Sequence, residues 1–264
     1  MQAKTTPRLP GLIKGSIAWH LAGAAALVAA PSLWPVVVSA LIADHALIAL
    51  AGIVPRAQVF GPCLSRLIQA EGADCRVALT FDDGPDPEVT PAVLEILEDR
   101  GVTATFFPIG RRAAIHPSLV EKITSAGHRL GNHSWTHSPA FFFHSIRRMT
   151  LEIDRSQELL ETLGGVRPTH FRAPAGIRGP FLQSILERRG LVLTAWNARG
   201  YDTTDANPNR VLKRMIRHLE PGSILLLHDG SSARAPDGRA VVLHVLPRLL
   251  DELEARELKP VALT

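Results

Sequence analysis

Short apolar segments alternate with longer amphipathic ones from Cys75 to the C-terminus of this 264-residue chain. The apolar segments predict strands at 76–81, 103–107, 128–131, 169–172, 191–196, 223–227 and 261–263. The segments between them predict helices near 89–100, 117–126, 146–163, 180–189, 208–219 and 240–256. Because β and α units alternate, we expect parallel strands in a sheet or a barrel. About seven strands is slightly fewer than an eightfold barrel contains.

Polar residues with catalytic or metal-binding side chains lie at the C-terminal ends of the predicted strands. They are Asp82, Asp83, His133, Arg172, Asp202 and His228. The C-terminal ends of strands are where β/α barrels build their active sites. Structural residues scattered along the chain would not share this placement, so the sequence predicts one site at this end of the barrel.

The acidic pair Asp82-Asp83 and the pair His133-x-x-x-His137 suggest a metal site. Two imidazoles and one carboxylate make a three-ligand set that leaves coordination positions open for water and substrate. On a helical turn, the spacing of the two histidines would put both rings on one side. A carboxylate next to a ligand carboxylate is suited to act as a general base. Each motif alone has a simpler interpretation, because Asp-Asp-Gly-Pro is typical of a turn and paired histidines are common on surfaces.

Five segments together carry a resemblance to one enzyme family. They are Thr80-Phe81-Asp82-Asp83-Gly84-Pro85, His133-Ser134-Trp135-Thr136-His137, Arg172-Ala173-Pro174-Ala175-Gly176, Asp202 after Trp196, and Leu226-Leu227-His228-Asp229. In this order they resemble the motif regions of the polysaccharide deacetylase family, also called the NodB-homology or carbohydrate esterase family 4 domain. The resemblance implies an irregular seven-stranded β/α barrel. It also implies a hydrolase of carbon–nitrogen bonds other than peptide bonds, namely a carbohydrate N-deacetylase.

The resemblance assigns the metal ligands and the general base. Asp83, His133 and His137 would bind one divalent ion, and zinc suits their mixed imidazole and carboxylate ligands best. Asp82 would be the general base, and Arg172 would hold its carboxylate.

The resemblance also assigns the general acid and the substrate contacts. His228 would be the general acid, and Asp202 would orient it. The backbone N–H of Ala175 would bind the oxyanion, and Leu226 would pack against the acyl methyl group. Ala175 stands where the family often has an aromatic residue, and Thr203 stands where it commonly has tryptophan. Asp205 therefore competes with Asp202 for its role.

The N-terminal part of the chain is apolar. No charged residue occurs from Gly15 to Ala43, and two apolar runs at about 15–30 and 36–54 flank the segment Pro31-Ser32-Leu33-Trp34-Pro35. Each run approaches the ~20 residues that a helix needs to cross a bilayer. We therefore predict a helical hairpin that anchors the protein in the cell (inner) membrane. A cleaved secretory signal is the alternative, and the second apolar run argues against it.

The membrane side of the domain follows less directly. Basic residues flank the apolar runs on both sides, at Lys4, Arg8, Lys14, Arg56 and Arg66. The positive-inside tendency then places both ends of a hairpin, and the catalytic domain, in the cytoplasm. Many enzymes of the family work outside the membrane, which would require a single span. Asp44 and His45 lie inside the second run, where they indicate either a functional site or a segment that does not cross.

The domain limits follow from these patterns. They are a membrane-anchoring segment (1–54), a connector (55–74) and a catalytic domain (75–264). The net charge of +4 comes from dispersed basic residues, so we predict no nucleic-acid partner. Cys63 and Cys75 lack the spacing of a metal site, and we expect them to be unpaired or to form one optional bridge.

The predicted function combines the motifs with the anchor. We expect a metal-dependent amide hydrolase that removes an N-acyl group, acetyl in the first instance, from an amino sugar of a saccharide or lipid-linked saccharide. Membrane lipids are the second expected partner. The alternatives are a deformylase of a lipid-linked amino sugar and a non-catalytic, membrane-bound saccharide-binding module. The departures at Ala175 and Thr203 motivate the second alternative, and the complete set of acid, base and ligand residues argues against it.

Overall fold

The structure, a computed structural model, describes residues 10–54, 58–68 and 75–264. Two apolar helices precede an α/β domain in which every strand pairing of the named strands is parallel. This arrangement confirms the predicted fold class.

The two N-terminal helices form a hairpin. α1 (Gly11–Ala29) and α2 (Trp34–Ile53) are joined by a 3-10 turn at Pro31–Leu33. Both are long and apolar enough to cross a membrane, which is compatible with either an anchor or a signal segment. Ser16 Oγ donates a hydrogen bond to Asp44 Oδ2 at 2.5 Å, so the charged residue in the second run faces the other helix. Of the flanking cations, Lys4, Arg8 and Arg56 lie outside the described residues.

Eight short strands occur in the described residues. They are β1 (Arg76–Asp82), β2 (Thr105–Phe107), β3 (Arg129–Leu130), β4 (His170–Phe171), β5 (Val192–Leu193), β6 (Ala198–Arg199), β7 (Ile224–His228) and β8 (Lys259–Val261). The main sheet has the order β3-β2-β1-β7-β6, and β8 pairs with the start of β1. β4 and β5 form a separate pair. The strand at Ala198–Arg199 is the one that the sequence did not predict.

β1 is the central strand and it determines the position of the site. Its register places Asp82 beside Phe107 of β2 and beside His228 of β7. Side chains alternate along a strand. Val77, Leu79 and Phe81 therefore join the core cluster that contains α3, α8 and α9 residues, whereas Ala78 joins the core cluster of the barrel interior. Asp82 is thus presented at the C-terminal end of the barrel.

Single bridges and the segment before β1 link the two groups of strands. Asn132 bridges to Phe171 at the β3–β4 gap. On the other side, Leu64 pairs with Thr194 and Arg66 pairs with Ser223, so this short segment lies between β5 and β7. Part of the predicted connector is therefore built into the barrel. Cys63 is buried there, and Cys75 is exposed.

The remaining helices surround the strands. They are α3 (Val89–Asp99), α4 (Gly110–Ile115), α5 (Pro117–Ser125), α6 (Ile146–Gly164), α7 (Leu182–Glu187), α8 (Pro208–Arg217) and α9 (Val241–Ala255). All except the short α4 correspond to predicted helices. Asn207 caps α8, since its Oδ1 accepts hydrogen bonds from the backbone N–H groups of Asn209 and Arg210.

Candidate active site

A buried arginine holds the first carboxylate of the acidic pair. Arg172 is fully buried, and its Nη1 donates hydrogen bonds to Asp82 Oδ1 at 2.6 Å and to Thr80 Oγ1 at 2.9 Å. The guanidinium carbon lies 4.2 Å from the centroid of the Phe107 ring. A buried charge is tolerated when it is paired and hydrogen-bonded. Arg172 therefore fixes one oxygen of Asp82 and leaves Oδ2 directed towards His133 Nε2, 3.7 Å away.

Asp83 lies between the two histidines of the motif. Its Oδ1 is 3.4 Å from His133 Nε2 and 3.3 Å from His137 Nε2. That oxygen is buried, and it has no hydrogen-bond partner among the described residues. His133 Nδ1 is 2.8 Å from the carbonyl oxygen of Arg172, which makes Nδ1 the protonated nitrogen and leaves the Nε2 lone pair facing Asp83. A metal-binding histidine usually donates its other ring N–H to an oxygen in this way, which orients the ring.

The electrostatics of this cluster favour a cation. Burial alone would raise the pKa of Asp83, but the two neighbouring imidazoles hold it well below its usual range. For His133 the effects are reversed. Burial would lower its pKa, but the Asp82 and Asp83 carboxylates raise it above its ordinary value. Burial and the charge of His133 lower the pKa of His137 to about 4, so this ring is neutral, the form that binds metals. The three ligand atoms lie within 4.8 Å of one another, and the donor set fits one divalent ion.

The His133–His137 segment is a loop, which corrects the predicted helical turn. Ser134 and His137 have φ values of 65° and 52°, in the left-handed region. Asn132 Oδ1 accepts the N–H of Ser134 at 2.9 Å, and Ser134 Oγ accepts the N–H of His137 at 3.1 Å. These side-chain hydrogen bonds replace the helical ones, because short polar side chains compete with helix formation.

Left-handed backbone is concentrated around the site. Asp83 (φ 72°) and Ala175 (φ 55°) share this conformation with Ser134 and His137. Non-glycine residues in this region cost about 1–3 kcal/mol each and occur where surrounding contacts enforce them. The concentration of strain indicates a functional arrangement.

The imidazole at the end of β7 is paired with a buried carboxylate. His228 Nδ1 is 2.9 Å from Asp202 Oδ1, and Asp202 Oδ2 accepts the backbone N–H of His228 at 2.8 Å. Burial would lower the pKa of His228, but the attraction of Asp202, with smaller contributions from Asp82 and Asp83, raises it to about 9. The competing candidate, Asp205, instead forms ion pairs with Arg210 and Arg214. Asp202 is thus the carboxylate that contacts the histidine.

The two predicted substrate contacts differ in accessibility. Ala175 is exposed in the turn Pro174–Gly176 and lines a cavity with Trp196. Leu226 is almost fully buried in β7, where it pairs in register with Thr80. Their roles towards the oxyanion and the acyl methyl group remain predictions.

The sequence analysis missed several residues that support the site. Asp229 is buried and accepts a hydrogen bond from Thr90 Oγ1 at 2.6 Å, and burial raises its pKa to about 7. Arg112 Nη1 donates to the carbonyl oxygens of Asp83 (2.7 Å) and Gly230 (2.5 Å). The only sequence signal for Asp229 is its position next to His228, and Arg112 gives none.

Two glycines allow the supporting loops to meet. A Cβ atom on Gly84 would lie 2.2 Å from Asp229 Oδ2, and one on Gly230 would lie 2.1 Å from the carbonyl oxygen of Asp83. Only glycine permits this approach, which brings the end of β7 against the metal-ligand loop.

Comparisons with known proteins agree with this geometry. The family model described as polysaccharide deacetylase matches residues 69–193. A chitooligosaccharide deacetylase of Azorhizobium caulinodans is 35% identical over 192 residues, which cover 68% of this chain and 89% of the relative. The peptidoglycan-N-acetylglucosamine deacetylase PgdA of Listeria monocytogenes is 35% identical over 154 residues, covering 58% of this chain and 32% of that protein.

A solved structure extends the likeness to three dimensions. The family 4 carbohydrate esterase from Streptomyces lividans, in complex with acetate, superimposes with a TM-score of 0.63 and 32% identity. The superposition covers 70% of this chain and 91% of that chain. The chain therefore belongs to the polysaccharide deacetylase family and, as predicted, to its class of enzymes, the carbohydrate N-deacetylases.

Proposed function

We propose that this chain is a metal-dependent hydrolase that removes the acetyl group from the nitrogen of a lipid-linked amino sugar at a membrane. The observation that supports the proposal best is the arrangement of two charged pairs around one ligand set. Asp82 with Arg172, and His228 with Asp202, accompany the cluster of Asp83, His133 and His137. A binding module has no use for both a paired base and a paired acid.

The metal would supply electrophilic activation. A divalent ion held by Asp83, His133 and His137 would polarise the amide carbonyl and make water a nucleophile near neutral pH. Mixed imidazole and carboxylate ligands suit zinc, which we propose as the ion.

The protein's own residues would move the protons. Asp82 accepts the proton of the attacking water through Oδ2, because Oδ1 is occupied by Arg172. His228, protonated at neutral pH because of Asp202, donates a proton to the nitrogen of the departing amine. The backbone N–H of Ala175 stabilises the developing oxyanion. In this way a base and an acid of opposite charge are both available at one pH.

The substrate class rests on the relatives and on the helices. The relatives are named for acetylated chitooligosaccharides and peptidoglycan, so an N-acetylated amino sugar is the common element. The N-terminal hairpin keeps the site near a membrane, and the alanine at position 175 gives no aromatic wall for a long polymer. A short saccharide joined to a lipid would suit both a site near the membrane and the missing aromatic wall. Lys14 in the first turn of α1 and Arg66, which lies 13 residues after α2 ends, favour the cytoplasmic leaflet.

The experiment that tests this function compares substrates and acyl groups. Purified full-length protein in lipid nanodiscs is supplied with an N-acetylated amino sugar on a lipid, the N-formylated analogue, and a soluble chitooligosaccharide. Release of amine and acetate is measured, together with metal content. We expect acetate and amine in equal amounts, with the lipid-linked substrate preferred. Preference for the formyl group would favour the deformylase. Saccharide binding without amine release from any substrate would favour the binding module.

A further inference from the structure

A basic cavity connects the end of the membrane hairpin with the oxyanion residue. It has a volume of about 550 Å³. Ala175 and Trp196 form one side of it, and Ile53, the last residue of α2, contributes to another. Three arginines line it as well: Arg199, Arg214 and Arg217. We call this cavity the arginine cleft. Its size is within the ~300–1,000 Å³ that is usual for small-molecule sites.

The junction with the hairpin is fixed by the backbone. The N–H of Arg178 donates a hydrogen bond to the carbonyl oxygen of Gly52 at 3.1 Å. A Cβ atom on Gly52 would lie 2.7 Å from the carbonyl oxygen of Arg178, so a side chain there would force the two segments apart. The end of α2 is thereby held next to the segment that carries Ala175. The end of α2 and the turn with Ala175 therefore border the same cavity.

The cationic groups of the arginine cleft are only partly compensated. Arg214 Nη1 is held by Asp205 Oδ2 at 2.7 Å, and Asp205 also pairs with Arg210. Arg217 forms no ion pair with an acid among the described residues. The cleft therefore has more positive than negative charge.

The guanidinium group of Arg199 is also incompletely paired. Its guanidinium carbon lies 4.6 Å from the centroid of the Tyr201 ring and 5.5 Å from that of Trp196. These ring faces attract the cation, but they do not satisfy its N–H donors. The Nε atom is buried and has no hydrogen-bond partner among the described residues. A buried guanidinium donor without a partner is costly, and an anion in the cleft would offset that cost by pairing with the charge of the guanidinium.

We propose that the arginine cleft binds the phosphate group that joins the amino sugar to its lipid. Arginine side chains recognise phosphate oxygens with paired, charge-assisted hydrogen bonds. Ala175 at one side places the sugar's acyl group towards the catalytic residues, and Ile53 at another leads the lipid into the bilayer. Trp196 and Tyr201 line the cleft beside the arginines. The inference rests on the proposed function and adds to it that the substrate is anionic.

The test uses two substrates that differ in one group. Full-length protein in nanodiscs of zwitterionic lipid is assayed on an N-acetylated amino sugar joined to a lipid through phosphate, and on the same sugar joined through a neutral ether. Arg199→Gln and Arg217→Gln are compared with Arg100→Gln, which removes an equal charge from an exposed residue directly after α3, outside the cleft. Far-ultraviolet circular dichroism and thermal unfolding verify that the variants fold. Arg217→Lys retains the charge without the guanidinium geometry.

The expected result is selective for the phosphate substrate. In each glutamine variant, KM for the phosphate substrate should rise at least about tenfold, with kcat little changed. This is the usual effect of losing a charge-assisted hydrogen bond. KM for the neutral substrate and both constants of Arg100→Gln should remain at the wild-type values. Arg217→Lys should lose less than Arg217→Gln. A soluble sugar phosphate should compete with the phosphate substrate in the wild type more strongly than in the glutamine variants.

Three outcomes would overturn the inference. Equal KM values for the two substrates in the wild type would show that the phosphate is not recognised, while the deacetylase function would stand. An equal loss on both substrates would assign the arginines to the fold or to the sugar. If anionic phospholipid in the nanodisc inhibits the wild type but not the variants, and the sugar phosphate does not compete, the cleft binds bilayer head groups. Activity on the soluble chitooligosaccharide alone would instead refute the lipid-linked substrate of the proposed function.

Discussion

Neutralising Asp202 should move the pH range in which the enzyme works. In the wild type, burial lowers and Asp202 raises the pKa of His228, and the outcome is about 9. In Asp202→Asn the main opposing charge is lost while the shape is kept, so burial should bring the pKa to the ordinary ~6.5 or below. The difference between these two pKa values means that Asp202 stabilises the protonated ring of His228 by about 3 kcal/mol. A cation on Asp83 would reduce the smaller attraction that this carboxylate exerts on His228.

The change can be converted into a rate at one pH. With a pKa of about 9, about 97% of His228 is protonated at pH 7.5, whereas a pKa of ~6.5 leaves about 10%. If the protonated ring is the general acid, kcat/KM at pH 7.5 should fall about tenfold from this cause alone. Asparagine has one acceptor oxygen for the two N–H groups of His228 that Asp202 holds, so the loss of one of these contacts adds to the effect. The alkaline limb of the pH profile should move down by about 2.5 pH units or more.

The assay is a pH profile of kcat/KM from acetate release, with Asp205→Asn as the matched control. Asp205 pairs with arginines and not with His228, so its variant should keep the alkaline limb of the wild type. Stability gives an independent check. Because the folded-state pKa of His228 is raised, the pair stabilises the fold fully below about pH 6.5 and loses its effect as pH rises to about 9. An unchanged alkaline limb in Asp202→Asn, or an equal displacement in Asp205→Asn, would refute the assignment of His228 as the acid.

Further predictions concern the metal, the loop contact and the anchor. His133→Ala combined with His137→Ala should abolish the binding of about one divalent ion per chain, and unchanged metal content by mass spectrometry would show that the ligands lie elsewhere. Gly230→Ala should destabilise the fold by about 1–3 kcal/mol in chemical denaturation, because its Cβ would lie 2.1 Å from the carbonyl oxygen of Asp83; Gly15→Ala, with nothing within 4 Å, should have little effect. Removing residues 1–55 should give a domain that hydrolyses small amides but not a membrane-borne substrate. A reporter fused after Thr264 should be active in the cytoplasm if both helices span the membrane, and activity on the outside would mean a single span.

The sequence was most informative where chemistry and strand ends coincide. Asp82 and His228 were predicted to share a site because each follows an apolar strand, and parallel pairing of β1 with β7 places them side by side. The preference for Asp202 over Asp205 also agrees with the contacts, although it came from motif alignment and not from a physical argument. The structure explains it, since Asp202 is enclosed against His228 while Asp205 lies among arginines.

Features that depend on distant contacts could not be predicted. The His133–His137 spacing suggested a helical turn, but Asn132 Oδ1 and Ser134 Oγ accept backbone N–H groups and hold a loop with left-handed residues instead. Asn132 is itself held by residues of α6, since its Nδ2 donates to Ile153 O and Gln157 Oε1. The strand Ala198–Arg199 has only two residues and exists because β7 pairs with it. The role of Leu64 in filling the gap beside β5 depends on partners far away in the chain.

The central claim is that Asp82 is the base of a metal-dependent deacetylase, and Asp82→Asn tests it most directly. The variant keeps the shape of the side chain and leaves Asp83, His133 and His137 in place. Metal content per chain and acetate release from an N-acetylated amino sugar are measured on the same purified full-length sample. We predict about one ion per chain in both wild type and variant, with turnover reduced by ~100-fold or more in the variant. Metal-loaded Asp82→Asn protein that releases acetate at a near-wild-type rate would contradict the account.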